Sequence, residues 1–137
     1  MSLRIPYDTI KETVKKAFLN VGLSEEQAEV CATIHTQSSA DGVESHGLNR
    51  IPRFVEYVQK GWINLDGKPE LGGARGAVEN YDGHLGIGIT NALFCADRAM
   101  ELAKEHGIGC VALKNTCLLY TSPSPRNRSL SRMPSSA

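Results

Sequence analysis

The stretch NALFCADRAMELAKEHGIGCVALKN, residues 91–115, changes its grammar once. In its first part Ala92, Leu93, Ala96, Ala99, Met100 and Ala103 recur at three- and four-residue intervals, the period of an amphipathic helix. His106 and Gly107 then stand where a helix C-terminus favours a cation-capable side chain and a residue free to turn left-handed. Beyond them IGCVALKN is short, apolar and β-branched at Ile108 and Val111, and reads as a buried strand.

Upstream, residues 62–88 alternate Gly-rich turns with short apolar runs, and Asp82-Gly83 suits a strand end or a hairpin. This predicts a small β element. Earlier still the pattern is helical three times. Pro6 opens a helix carrying Tyr7, Ile10, Val14, Ala17 and Phe18 on one face, and Gly22 stops it. Ser24 and Gln27 form a capping box, with Glu25 and Glu26 at the positive helix end, and Ala28, Cys31, Ala32 and His35 mark the inner face of a second helix over residues 24–39. A third, over residues 49–60, places Ile51, Phe54, Val55 and Val58 on one stripe, tolerates Pro52 in its first turn and ends at Gly61. The expected class is α+β: an N-terminal helical layer followed by a small sheet and a long helix, without regular β–α–β alternation.

Composition narrows the class further. With 41% hydrophobic and 22% charged residues in 137, the chain suits one globular unit with a modest core. No apolar run reaches the roughly 18–20 residues of a spanning helix, and the charged start MSLRIPYDTIKETVKK lacks an apolar signal core; no membrane association and a cytoplasmic location are the expectations. Cys31, Cys95, Cys110 and Cys117 are widely spaced with no CxxC, which reads as buried free thiols and no metal site. Residues 1–116 hold 12 basic and 15 acidic side chains, net −3, whereas residues 117–137 hold three Arg and no acid. Neither part has the basic, aromatic-studded surface of a nucleic-acid binder.

Chemistry concentrates in ADGVESHGLNRIPRF, residues 40–54, where His46 and Arg50 stand four apart ahead of a helix. If that turn is helical, both side chains point the same way. His exchanges protons near neutral pH, and Arg offers a planar fork to a carboxylate, so the pair would suit a small 2-oxo or 2-hydroxy acid. Spacing alone does not decide, and by itself favours ordinary surface residues on a loop-to-helix junction. His35 reads as a packed, hydrogen-bonded core histidine, His84 as a turn residue and His106 as a helix-end residue. Gly86 to Gly88 lack the GxGxxG pattern and a ribose-binding acid, so a dinucleotide-binding Rossmann turn is not expected there.

The motifs SHGLNRIPRFVEYVQKGWIN, AVENYDGHLGIG and residues 91–115 together resemble the malate/L-lactate dehydrogenase family of NAD(P)-dependent 2-oxoacid reductases that lack a Rossmann fold. The likeness spans essentially all of residues 1–116. It implies a truncated part of a homodimeric cytoplasmic enzyme that uses NAD or NADP on a small-molecule 2-oxoacid. His46 would then be the catalytic acid/base and Arg50 the substrate-binding contact. Substrates across the family include malate, lactate, ureidoglycolate, cyclic imino acids and diketo sugar acids. The family pattern places a second active-site His where this chain has Leu118, and most cofactor contacts lie beyond it, so no cofactor-binding residue is assigned.

Residues 117–137 break from that pattern. CLLYTSPSPR resembles the conceptual translation of a transposase-type sequencing adaptor, and SRMPSSA its distal segment in the same frame. The expectation is a domain at residues 1–116 followed by a non-native, disordered tail. A competing reading keeps the tail as a phosphorylatable Ser-Pro docking segment on a non-catalytic helical interaction protein.

Overall fold

The computed structural model describes residues 4–116. Three helices come first: α1 (Tyr7–Asn20), α2 (Glu25–Ala40) and α3 (Ile51–Gln59), with two short 3-10 turns, Glu44–His46 and Leu48–Arg50, between α2 and α3. Strands β1 (Glu70–Arg75) and β2 (Val78–Gly86) follow, then helix α4 (Gly88–His106) and strand β3 (Cys110–Thr116). β1 pairs antiparallel with β2, and β2 pairs parallel with β3 through α4, giving the sheet order β1-β2-β3. The α+β expectation holds, with a single β–α–β crossover inside it.

Local chemistry accounts for the helices. The Ser24 hydroxyl accepts from the Gln27 N–H while the Gln27 side chain accepts from the Ser24 N–H, the reciprocal box read from the sequence. The same Gln27 donates to the Leu65 carbonyl at 2.7 Å, tying the start of α2 to the segment after α3. Gly107 ends α4 in the left-handed conformation, φ 81°, and its N–H returns to the Ala103 carbonyl.

One core serves the helical layer. Phe18 of α1 and Phe54 of α3 are wholly buried and meet edge to face, ring centroids 5.2 Å apart, with Val14, Leu23, Ala28, Cys31, Ala32, Ile63 and Ile87 around them. A second tie joins α4 to the sheet. Arg98 donates from Nε and Nη2 to both carboxylate oxygens of buried Glu79, each at 2.7 Å, and the Tyr81 hydroxyl donates to the same carboxylate at 2.9 Å.

Four expectations are corrected. Among the described residues β3 pairs only with β2 and alternates exposed with half-buried residues, so there it is an edge strand rather than a buried one. Cys110 is accordingly exposed and Cys95 half-buried, leaving Cys31 as the buried thiol; Cys117 lies outside the described residues. The hairpin turn falls at Gly76 and Ala77, whereas Asp82-Gly83 lies within β2, where its register with β3 begins to shift. On α4 Asn91 and Leu102 are buried and Ala92, Cys95, Arg98, Ala99 and Ala103 half-buried, whereas Leu93, Ala96 and Met100 of the expected stripe are exposed. The tail over residues 117–137 also lies outside the described residues.

Candidate functional site

The loop that carries His46 and Arg50 lies directly on the second half of α2. The Val43 N–H donates to the Ser38 carbonyl at 2.8 Å, and the Leu48 N–H to the Ser39 hydroxyl at 2.8 Å. Gly47 is buried at this contact, and a Cβ there would fall on the Ser39 hydroxyl, so glycine is what allows the approach. The side chains of residues 43–50 are thus displayed by a backbone fixed from below.

His46 and Arg50 do not share one helical turn. Gly47, at φ −94° and ψ −137°, separates the two 3-10 turns and breaks the i, i+4 geometry. Ser45 joins the two residues instead. Its hydroxyl lies 2.7 Å from His46 Nδ1, and its carbonyl accepts from Arg50 Nε at 2.5 Å. Sequence reasoning missed Ser45, whose only signal was adjacency to His46.

This arrangement has a definite chemical capacity. In the tautomer where Ser45 donates to Nδ1, the imidazole proton sits on Nε2, ready for a substrate oxygen. Among the described residues no carboxylate pairs with Arg50, and with Nε held by Ser45 its two terminal nitrogens remain for an incoming carboxylate. A proton donor and a carboxylate fork therefore stand on one loop.

The other histidines serve different ends. His35 is packed in the core, as expected, 5.9 Å from the Phe18 ring; its ring nitrogens make no well-formed hydrogen bond but lie against the backbone of His46 and Gly47. Burial pushes its pKa down, partly offset by the neighbouring backbone of His46 and Gly47. His84 lies within β2 rather than in a turn, at the irregular end of the strand where His84 and Leu85 are both left-handed at φ 49° and 57°. Asp82 holds that kink by accepting from the His84 N–H and the Asn115 side chain, each at 2.9 Å, and these donors keep its pKa low. Its cleft, about 420 Å³, contains Asn64, Asp82, His84, Leu85 and Asn115, and another of about 540 Å³ lies between α2 and α4; neither is lined by His46 or Arg50.

The glycine-rich start of α4 does not fit a dinucleotide phosphate. Gly86 lies against the Gly67 carbonyl, where a Cβ would collide, and Ile87 and Gly88 are buried, so the space before the helix is already filled by this chain. Among the described residues no cluster of three His, Cys, Asp or Glu could hold a metal ion, and no helix is long and apolar enough to cross a membrane.

Comparison with known proteins places these features in a family context. A family model described as malate/L-lactate dehydrogenase matches residues 5–119. The 2,3-diketo-L-gulonate reductases of Haemophilus influenzae and Pasteurella multocida are 41% and 42% identical over 113 residues, 82% of this chain and 34% of theirs. Among solved structures, malate dehydrogenase from Pyrococcus horikoshii superposes with a TM-score of 0.79 at 29% identity, covering 83% of this chain and 33% of that one. Sulfolactate dehydrogenase from Methanocaldococcus jannaschii gives 0.78 at 25% identity, over 83% and 33%. The chain spans about a third of the length of the relatives it matches.

Proposed function

The chain belongs to the malate/L-lactate dehydrogenase family, and from that premise we propose that it is the N-terminal part of an oxidoreductase that reduces a 2-oxo or 2,3-diketo sugar acid to the 2-hydroxy acid. The observation that carries this reading is the Ser45, His46 and Arg50 cluster, set within a segment similar to named 2,3-diketo-L-gulonate reductases. Reduction of a 2-oxo group requires a hydride on carbon and a proton on oxygen. NAD or NADP would supply the hydride when bound, and most of the residues that would hold it are expected beyond this chain's described part.

This chain's own residues handle the acid and the proton. Arg50 takes the substrate carboxylate with its terminal nitrogens while Ser45 fixes the guanidinium through Nε. Ser45 also holds the His46 ring, and His46 gives the Nε2 proton to the oxygen that becomes the hydroxyl. The 137-residue chain alone, lacking most of the expected cofactor contacts, is inactive in this reading. A homodimer is proposed for the complete enzyme, supported by the exposed apolar side chains of Leu93 and Met100 on α4, of a kind homodimers bury. A cytoplasmic location is proposed from the charged α1, whose Val14 and Phe18 belong to the core.

The test is to recover the complete gene, purify its product and follow NADH and NADPH oxidation with 2,3-diketo-L-gulonate. Turnover is expected with one cofactor or both. Activity confined to malate, lactate or ureidoglycolate would move the substrate assignment within the family, and no oxidation with any of them would refute the reading. Residues 117–137 are proposed to be adaptor sequence; the family match ends at residue 119, three residues into that segment. Long-read sequencing of that junction should find a continuous reductase frame past Thr116. A native stop after Ala137 would instead favour the interaction-protein reading.

A further inference from the structure

The segment between α2 and α3 is seated on the last turn of α2, and two neighbouring serines hold it in different ways. Ser38 offers its carbonyl, which accepts from the Val43 N–H at 2.8 Å. Ser39 offers its side chain. Its hydroxyl oxygen accepts from the Leu48 N–H at 2.8 Å, and it fills the place where a Cβ of residue 47 would stand.

Leu48 is the midpoint of the proposed chemistry, two residues after His46 and two before Arg50. The two 3-10 turns close on themselves, the His46 N–H on the Val43 carbonyl and the Arg50 N–H on the Gly47 carbonyl. Those bonds fix each turn internally and leave its place against α2 open. The Ser38 carbonyl seats the first turn, and the Ser39 hydroxyl seats the second, just past the joint where Gly47 redirects the chain.

We propose that Ser39 is a positioning residue: through the Leu48 amide, its hydroxyl sets where Arg50 stands relative to His46. The inference rests on His46 and Arg50 being the proton donor and the carboxylate fork. Ser39 touches no reacting atom in that chemistry and acts through the backbone alone. A hydroxyl suits the task, since it accepts from Leu48 and is short enough for the glycine backbone to close over it. The contact is half-buried, so a Leu48 amide stripped of its acceptor recovers a partner only by turning toward water. The turn that carries Arg50 turns with it.

Two kinetic constants should respond together. Displacing Arg50 weakens the grip on the substrate carboxylate, which raises KM. A carboxylate held in the wrong place also sets the carbonyl oxygen off the His46 proton, which lowers kcat. Reaction geometry is sensitive on this scale, a misplacement of about 1 Å costing on the order of 10²-fold. A merely structural lesion behaves otherwise: it removes active enzyme, so kcat falls with the folded fraction while KM stays where it was.

Steady-state kinetics of the complete enzyme with 2,3-diketo-L-gulonate, or whichever family substrate it turns over, tests this with Ser39→Ala, Ser39→Thr and His46→Ala. Ser39→Ala should lower kcat/KM by about 10–10²-fold, with KM raised as well as kcat lowered. Ser39→Thr keeps the hydroxyl and should recover most of the loss. Where Ser39→Ala does not fold, Ser39→Cys, of similar shape and weaker as an acceptor, should show the same split to a smaller degree. An unchanged kcat/KM, a fall confined to kcat, or an equal fall in Ser39→Thr overturns the proposal. Any of these beside a His46→Ala variant that has lost its kcat overturns the role of Ser39 alone. A His46→Ala variant of full activity removes the catalytic reading and the role of Ser39 with it.

Discussion

The helical layer and the β–α–β half of this molecule solve the same burial problem differently. In the layer, Phe18 and Phe54 are wholly enclosed by residues of α1, α2, α3 and the segment that follows, with Ile87 before α4 closing the core. In the other half, Leu71, Val78, Leu93, Phe94, Met100 and Ile108 are exposed, Ile108 at 70%, and among the described residues one edge of β3 is unpaired. What holds the second half is largely polar: the Glu79, Arg98 and Tyr81 network between sheet and α4, and Asn91, which donates to the Gly83 carbonyl and the Thr116 hydroxyl at 3.1 Å each. The first region carries its own core, whereas the second presents surface of the kind that packs against more protein.

The contrast can be broken most sharply at the core. Phe18→Ala should cost about 3–5 kcal/mol, whereas Met100→Ala on the outer face of α4 should stay within about 0.5 kcal/mol. Urea titration of both variants measures the difference, and comparable costs would mean that the two regions are not packed as described. Removing the cap of α2 with Ser24→Ala should cost about 1 kcal/mol in the same assay, placing the helical layer's local chemistry below its packing.

The polar tie of the second half should show itself through pH. Hydrogen bonds from Arg98, and then from Tyr81, hold Glu79 at about 2, below its ordinary carboxylate value. Its contribution is therefore fully present above about pH 4.5 and is lost as pH falls through about 2. Thermal midpoints between pH 6 and 2 should decline more steeply for wild type than for Glu79→Gln, and parallel curves would remove the pair from the account. A smaller test concerns access: a thiol reagent should label exposed Cys110 quickly and spare Cys31, which is buried with its thiol pushed up to about 12.

The helices were legible because period and punctuation agreed. Ser24 with Gln27, Pro6, Gly22 and Gly107 all mark boundaries that the structure keeps. The position of β3 was not legible, since an apolar, β-branched run has the same composition at an edge as in the middle of a sheet; pairing partners decide, and they are non-local. At the site, the four-residue spacing of His46 and Arg50 could not distinguish one α-turn from two 3-10 turns broken at Gly47. Gly47 is explained by Ser39, eight residues earlier on another element, and Ser45 acts through its own carbonyl as well as its hydroxyl. Backbone contacts of this sort leave no periodic trace. His35 showed its apolar setting in the sequence, but its missing partners emerge only from the packed core.

The central claim is that the loop after α2 carries the proton donor of a 2-oxoacid reductase. It is tested most directly by steady-state kinetics of the complete enzyme with His46→Ala. The account predicts a fall in kcat of about 10²–10⁴-fold with the fold intact by circular dichroism. An unchanged kcat would contradict it.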